Sequence, residues 1–333
     1  MNSDSSKQYK IFVTGVGAII GYGIIESLRS TQKNLQITGC DIYIENYGRY
    51  LCDNFVKAAP AAAPDYILWL NDVIDEYKID LVIPGIEQDL FAINSDRDNI
   101  KSTVAINNSN IIELGKDKLA TIQFLKAKTN LPYIKTIEDR DFEMCREVLG
   151  IPFIVKPRFS YASKGFNIIY NKDDFRKYVL DSSFGKLIFQ KYIGNIDEEY
   201  TVSVFGDGNG NYLDCIVLRR YLSKEGATNK AYVIKQDESI EKYIQVLVKE
   251  LKPIGPTNFQ FRKEDGVPYL LEVNPRISST CSIRTKFGYN DPLYCLNFFI
   301  EQSSLEIPQK KYGKVLRFIN DYVVYEQECG NNI

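Results

Sequence analysis

The chain contains no histidine. That absence removes Ser-His-Asp and Cys-His nucleophile systems, HExxH metal sites and every histidine general base. Any chemistry must run on carboxylates, lysines, arginines, amides and metal ions. There is no CxxC pair: the seven cysteines (Cys40, Cys52, Cys145, Cys215, Cys281, Cys295, Cys329) are odd in number and scattered. This argues against a disulfide framework and against a zinc site. With 41 Lys and Arg against 43 Asp and Glu, no basic excess points to nucleic acid as a partner. No apolar run approaches the roughly 18 residues of a membrane helix, and the opening MNSDSSKQYK lacks an apolar targeting core. The expectation is a cytoplasmic protein with no membrane partner, and there is no internal repeat or low-complexity linker to divide it.

What is present is an ordinary globular composition, 44% hydrophobic and 25% charged over 333 residues. That length exceeds one usual core and suits two or three packed units of roughly 100–200 residues each. Through the first third, Val/Ile-rich runs (YKIFVTGV, LQITGCDI, IDLVIPG, STVAIN) alternate with helical periods (IIGYGIIESLRS, PDYILWLNDVIDEY). This pattern predicts a doubly wound parallel sheet over residues 1–110. From GKDKLATIQFLKAKT, a helix with apolar Leu119, Ile122, Phe124 and Leu125, a small α+β unit extends over residues 111–188. Residues 189–333 read as a largely antiparallel sheet (LIFQKYI, EYTVSVFGDG, YLDCIVLRRYL, KAYVIK, TNFQFRKEDG, VPYLLEVNP) joined by GDGNGN and KEDG turns. The helix SIEKYIQVLVKEL interrupts it and DPLYCLNFFIEQ closes it.

Two stretches carry chemistry. In NFQFRKEDGVPYLLEVNPRIS, a hairpin sets Gln260 on one strand and Glu272, Asn274 and Arg276 at alternating positions on the other, so the last three share a face. A carboxylate, two amide oxygens and a guanidinium converge. Hard oxygen donors of this kind suit Mg²⁺ bound together with substrate phosphates, and Arg276 suits a phosphoryl group beside it. A solvated polar hairpin is the alternative, but Leu270, Leu271 and Val273 make the strand apolar on both sides of the register, which favours an enclosed carboxylate. The second stretch is FVTGVGAIIGYGII. Gly15 and Gly17 follow a strand, and Asp41 ends the next one in ITGCD, close to a dinucleotide fingerprint. The next glycine, Gly21, falls one place late for GxGxxG. An NAD-dependent oxidoreductase therefore stands as a rival reading, with a tight strand-to-helix corner as the plainer one.

FQF…LLEVNPR, with Gln260, Glu272, Asn274 and Arg276, resembles the metal-binding strands of the ATP-grasp superfamily. The wording is closest to a single synthetase unit of the carbamoyl phosphate synthetase large subunit. The resemblance spans nearly the whole chain. It implies an N-terminal Rossmann-like (pre-ATP-grasp) domain followed by a two-lobed ATP-grasp domain. It further implies a carboxylate-amine ligase that uses ATP and Mg²⁺, with Mn²⁺ as a substitute, to activate a small-molecule carboxylate as an acyl phosphate for attack by an amine. A homodimer is a common state of such enzymes. Residue by residue, the resemblance assigns the metal to Gln260, Glu272 and Asn274. It assigns ATP phosphates to Lys118 and Lys156, and the phosphate-covering loop to SYASKG with Ser163 and Gly165. It gives the adenine hinge to Gln190, Lys191, Tyr192 and Ile193 in FQKYIG, and the ribose hydroxyls to Glu199, with Glu198 as its neighbour. It implies that Lys156 and Arg276 serve the transfer itself. Arg284, and the passage Arg219, Arg220, Lys224 and Gly226, are candidates for carboxylate capture, with a surface cation as the alternative for each. Glu87 and Asp89 in IPGIEQD end a parallel strand, where they either meet an amine substrate or cap the next helix. A nucleotide-binding module without turnover remains the third reading, because the loop is poor in glycine and two of the three metal donors are amides.

Overall fold

The computed structural model describes residues 7–159, 165–180, 185–194, 199–223 and 226–325. Ser163, Glu198 and Lys224 lie outside them. The first apolar run forms β1 (Tyr9–Thr14), whose last four residues are buried. It sits at the centre of a five-stranded parallel sheet in the order β3-β2-β1-β4-β5, with β2 (Leu35–Asp41), β3 (Asn54–Lys57), β4 (Leu81–Ile83) and β5 (Thr103–Val104). Helices α1 (Ile19–Arg29), α2 (Tyr66–Tyr77) and α3 (Glu87–Ser95) connect the strands. This is the doubly wound arrangement predicted above. The one addition is β3, which is too short and too polar to stand out in sequence. The chain order reverses beside β1, so the carboxyl ends of β1 and β4 open together, where such sheets present functional groups.

The predicted helix over GKDKLATIQFLKAKT is preceded by a separate one. Asn108 caps α4 (Ser109–Lys116) by accepting from the Ile111 N–H at 3.0 Å. Asp117 then ends it and caps α5 (Lys118–Lys128), accepting from Leu119 and Ala120. One side-chain acceptor thus fixes the position of Lys118 at the first turn of α5. A four-stranded antiparallel sheet follows, in the order β6-β9-β7-β8: β6 (Thr136–Ile137), β7 (Phe153–Pro157), β8 (Asn167–Ile169) and β9 (Leu187–Lys191), with α6 (Phe142–Leu149) and α7 (Lys172–Leu180). Phe142, Phe153, Phe175 and Phe189 interlock as its core with ring centroids 5.6–6.3 Å apart.

The third unit is a six-stranded antiparallel sheet in the order β14-β13-β10-β11-β12-β15. Its strands are β10 (Glu199–Asp207), β11 (Tyr212–Leu222), β12 (Thr228–Ile234), β13 (Ile254–Glu264), β14 (Val267–Asn274) and β15 (Gly313–Leu316). Helix α8 (Glu238–Leu251) covers one face with Ile240, Tyr243, Ile244, Leu247, Val248 and Leu251, a spacing that puts one apolar stripe on the sheet. Two features refine the boundaries drawn from sequence. β9 straddles residue 189 and completes the smaller sheet. Ile111, Ile122 and Leu125 of α4 and α5 share a core with Phe259, Phe261 and Val273 of the large one. The closing segment DPLYCLNFFIEQ is α10 (Asp291–Cys295) running into a π turn at Leu296–Glu301, preceded by a short α9 (Cys281–Lys286). A continuous core joins Ile11, Val13 and Ile24 of the first unit to Phe205, Leu218, Ile277 and Tyr294 of the third.

Candidate active site

In the β13–β14 ladder Gln260 faces Glu272 and Asn258 faces Asn274, with an irregularity after Gln260. Glu272 and Asn274 are two residues apart and share a face. The irregularity is a sheet device that re-aims side chains locally. Gln260 and Glu272 are half-buried and Asn274 is buried. Pro275 ends the strand, and the Arg276 N–H folds back onto the Asn274 carbonyl at 2.8 Å. This turn returns the Arg276 guanidinium to the site: Nη2 donates to Asn274 Oδ1 at 3.3 Å and Nη1 to the Ile277 carbonyl at 3.0 Å. Its Nε donates to Glu87 Oε1 at 3.2 Å and its Nη2 makes a short bond to the same oxygen. Glu87 is the first residue of α3, so an ion pair 189 positions apart in sequence ties the parallel sheet to the large lobe.

Lys118 and Lys156 lie close enough to Glu272 for its charge to act on both. Burial lowers the pKa of the Lys118 ammonium, opposed by the charges of Glu272, Glu87 and Asp117. Burial brings that of Lys156 down to about 8, opposed by Glu272, while Lys118 and Arg262 push it further down. Desolvation costs the charged form of a lysine, and a nearby carboxylate returns part of that cost. Two cations thus sit beside one carboxylate, and the cationic form of each is held at a cost. Arg158 fixes this geometry: its Nε and Nη2 donate to the two oxygens of Asp117 at 2.8 and 2.7 Å. The Lys118 N–H donates to the Arg158 carbonyl at 3.2 Å. A fork-to-carboxylate clasp of this kind locks both position and orientation.

The donor chemistry fits Mg²⁺ only with help. Among the described residues, no three His, Cys, Asp or Glu side chains come together as a metal cluster. One carboxylate and two amides leave further positions to phosphate oxygens and water, the usual arrangement for Mg²⁺. Among the described residues the amide nitrogens of Asn258 and Asn274 are buried without hydrogen-bond partners, which leaves polar capacity at the strand pair for a ligand. Asn258 was missed in sequence. It is buried, and its Oδ1 accepts from Thr201 Oγ1 at 2.7 Å. The spacing TNFQF, two residues before Gln260, is the signal that could have found it.

At the hinge, Gln190 is buried and its Nε2 donates to Thr136 Oγ1 at 2.9 Å. The Lys191 N–H donates to the Lys135 carbonyl at 3.0 Å, so any adenine contact at Lys191 falls to its carbonyl. The Lys191 ammonium reaches Glu264 at 2.7 Å, Tyr192 is half-buried, and Ile193 is buried in the core beside β10. Glu199 is buried, with Oε1 accepting from Arg220 Nε and Nη2 at 3.0 and 2.7 Å and Oε2 from Arg262 at 3.4 Å. A ribose contact is therefore left to Oε2, the more weakly held oxygen. Gly165 adopts φ +75, while Ser163 of the same loop lies outside the described residues.

The candidates for carboxylate capture separate. Arg220 is committed to Glu199, and Arg219 lies 5.8 Å from the ring of Tyr221. Gly226 stands in a turn at φ +82 beside the undescribed Lys224. Arg284 is neither a surface cation nor open to the cleft: it is 1% exposed. It pairs with the equally buried Asp291 at 3.2 Å and donates to Ser278 Oγ at 2.9 Å. α9 turns the Arg284 side chain into the interior, which excludes the surface-cation alternative, and among the described residues its Nε and Nη1 keep no hydrogen-bond partner.

The glycine turn is filled by the protein itself. The Gly17 N–H donates to Asp41 Oδ2 at 3.0 Å, and the Tyr43 N–H to Asp41 Oδ1 at 3.0 Å. A Cβ at Gly21 would lie 2.3 Å from the Gly15 carbonyl oxygen, and Gly15 itself has φ +62. The acid that would serve a ribose in a dinucleotide site caps this corner instead, and the third glycine is there for close packing. Asp89 is buried against Thr14 and Tyr66, and burial raises its carboxyl pKa.

Residues 183–321 match the family described as ATP-grasp in the biosynthetic pathway with Ter operon. The carbamoyl phosphate synthase large chain of Pseudothermotoga lettingae is 27% identical over 194 residues, 54% of this chain and 17% of that protein's length. This chain thus spans well under two thirds of the curated relatives it matches. In three dimensions it is similar to N5-carboxyaminoimidazole synthetase of Staphylococcus aureus in complex with ADP. The TM-score is 0.73 at 20% identity, over 96% of this chain and 84% of that one. It is similar too to the biotin carboxylase domain dimer of Hydrogenobacter thermophilus 2-oxoglutarate carboxylase with MgADP and bicarbonate. There the TM-score is 0.69 at 18% identity, over 92% and 73% of the two chains. The predicted fold class, a parallel-sheet domain before a two-lobed α+β domain, is the architecture of these structures. Among the described residues no helix is long and apolar enough to cross a membrane.

Proposed function

We propose that this chain, an ATP-grasp protein by its fold and by the sequence of residues 183–321, is a Mg²⁺- and ATP-dependent carboxylate-amine ligase. Its proposed units are the three read from sequence, 1–110, 111–188 and 189–333, with the smaller sheet carried on through Lys191 by β9. The observation that carries the reading is the convergence of Lys118, Lys156 and Glu272, with both lysines held cationic against their own burial. Charges kept at such a cost are what phosphoryl transfer requires, since its catalysis is positioning and neutralisation.

In this reading Lys118 and Lys156 receive the ATP phosphates, the hinge around Lys191–Ile193 takes the adenine edge, and Glu199 Oε2 takes the ribose. Gln260, Glu272 and Asn274 would hold Mg²⁺, which when bound offsets phosphate charge. A substrate carboxylate oxygen displaces ADP from the γ-phosphorus. Arg276 stabilises the resulting acyl phosphate. An amine then forms the C–N bond as the C–O bond to phosphate breaks, inorganic phosphate leaves and the amine proton goes to base or water. Self-association is part of the proposal, since the similar Hydrogenobacter domain is a dimer, and light scattering tests it. The test of the chemistry is to incubate protein, Mg²⁺ and ATP with pools of small acids and amines. ADP and phosphate are the expected products. AMP and pyrophosphate, or binding of NAD(H) with none of ATP, would overturn the reading. ATP binding that never releases phosphate would reduce the protein to a binding module.

A further inference from the structure

The last strand leaves the large sheet with an open edge. β15 is the outermost strand of the six, and among the described residues it pairs only with β12. The Arg317 N–H bonds inward to the Asn229 carbonyl at 2.8 Å. Alternate residues of an antiparallel ladder bond to alternate sides, so the backbone groups of Lys314 and Leu316 point away from the sheet. Beyond Arg317, residues 318–325 make no backbone-to-backbone hydrogen bond among the described residues. The segment is nevertheless held at two points. Arg317 Nη2 donates to the Ser279 carbonyl at 2.8 Å, and the Tyr322 ring stacks on Tyr50 with centroids 5.5 Å apart. An open edge of this kind is a template for another strand.

The same segment carries a run of apolar side chains in water: Leu316, Phe318, Ile319, Tyr322, Val323 and Tyr325 are all exposed. Phe318, Tyr322 and Tyr325 are 80%, 54% and 69% exposed. At roughly 150–250 Å² for a large aromatic side chain, these three leave about 300–500 Å² in water. That matches the largest patch of an ordinary monomer, about 300–600 Å². The three aliphatic residues and Tyr50 carry it towards the roughly 800 Å² per partner of a stable interface. Charge says what covers it. Lys311 and Lys314 stand at the start of the segment and Asp321 in its second half, with Glu326 and Glu328 next in sequence; Lys311, Lys314 and Asp321 are exposed. A strand that is basic at its start and acidic at its end complements a second copy of itself running antiparallel, whereas a parallel copy would set like charges together.

We propose that residues 311–325 are the contact between two copies of this chain, paired antiparallel about a two-fold axis at Leu316 so that the two large sheets join edge to edge. The axis sets Leu316 against Leu316, Lys314 against Phe318 and Lys311 against Asp321, an isologous contact in which each pair occurs twice about the axis. Self-association enters the ligase proposal without a surface; this contact supplies one and stands whether or not the chain turns over ATP. Light scattering on the full chain is expected to give twice the 38.2 kDa of one chain. Phe318→Asp combined with Ile319→Asp should give the mass of one chain, with the circular dichroism spectrum unchanged. Lys311→Glu and Asp321→Lys should each weaken the dimer at least tenfold, and the two together should restore it. Facing residues of a hydrogen-bonded pair lie about 5.5 Å apart, within disulfide reach, so mild oxidation of Leu316→Cys should yield a covalent dimer that the parent chain does not form. A monomeric parent, a dimer that survives the Phe318 and Ile319 substitutions, or no crosslink through Leu316→Cys overturns the contact, and the first and last of these need no disruptive variant to fold. ADP titrated into the same protein separates the two proposals. A dimer that binds no nucleotide keeps this contact and sinks the ligase, and a monomer that binds ADP does the reverse.

Discussion

The glycine corner after β1 and the cleft between β7 and β14 make opposite uses of polar groups. At the corner, the Gly17 N–H and the Asp41 carboxylate satisfy each other, and Gly21 leaves no room even for a methyl group. In the cleft, Lys118 and Lys156 keep charges that burial disfavours, and the amide nitrogens of Asn258 and Asn274 stay unpaired among the described residues. A site that binds nothing closes its own hydrogen bonds, while a site with a ligand to receive leaves capacity open. The stretch that most resembles a nucleotide loop in sequence is thus the one with least to offer a nucleotide.

The comparison breaks if the cleft proves dispensable. Glu272→Ala and Lys156→Ala are each expected to lower turnover by about 100- to 1,000-fold, the scale seen when one preorganised charge-stabilising group is removed, with the circular dichroism spectrum unchanged. Undiminished ATP hydrolysis or ligation in either variant would take that group out of the site. The corner should respond in stability instead. Gly21→Ala places a Cβ 2.3 Å from a backbone oxygen and should cost about 1–3 kcal/mol, the usual range for overpacking, read as a lower urea midpoint. A Gly21→Ala protein as stable as the parent would show that the corner has slack.

Between these two lies a pH effect. Lys156 is cationic below about 8 in the free protein and loses its proton as the pH rises through that value. Nucleotide affinity should therefore fall as the pH passes from 7 to 9, and Lys156→Arg should remove most of this fall, since the guanidinium stays charged. The sign for stability is opposite: the folded state binds fewer protons than the unfolded chain between about 8 and 10.5, so stability gains from Lys156 as the pH rises through that window. A flat affinity profile with a normal Lys156 titration would remove this lysine from phosphate binding. The smallest effect is expected from Asp41→Asn. It leaves one acceptor for the Gly17 and Tyr43 N–H groups where the carboxylate supplies two, costs about 1 kcal/mol, the low end of the range for a lost partner, and leaves ATP binding intact.

Much of this was legible beforehand for local reasons. The parallel sheet followed from short apolar runs alternating with helical periods, and LLEVNPR announced itself because a carboxylate, an amide and a guanidinium stood at strand spacing between apolar residues. The burial of Arg284 was not legible, because spacing from Arg276 says nothing about the direction in which α9 turns. Asn258 and Arg158 were not singled out in sequence; their role rests on Thr201 and Asp117, partners far off in the chain. The Glu87–Arg276 pair spans 189 residues, and no local pattern encodes such a contact.

The core shared by Ile11, Val13 and Ile24 with Phe205, Leu218 and Tyr294 bears on how such chains can diversify. A protein whose first unit were a separable module could exchange it for another by recombination and acquire a new substrate in one step. Here the exchanged piece would have to match α9, α10 and the inner face of the large sheet, or leave an apolar surface in water at about 25 cal/mol per Å². Point substitution within the existing units is the cheaper route to new specificity.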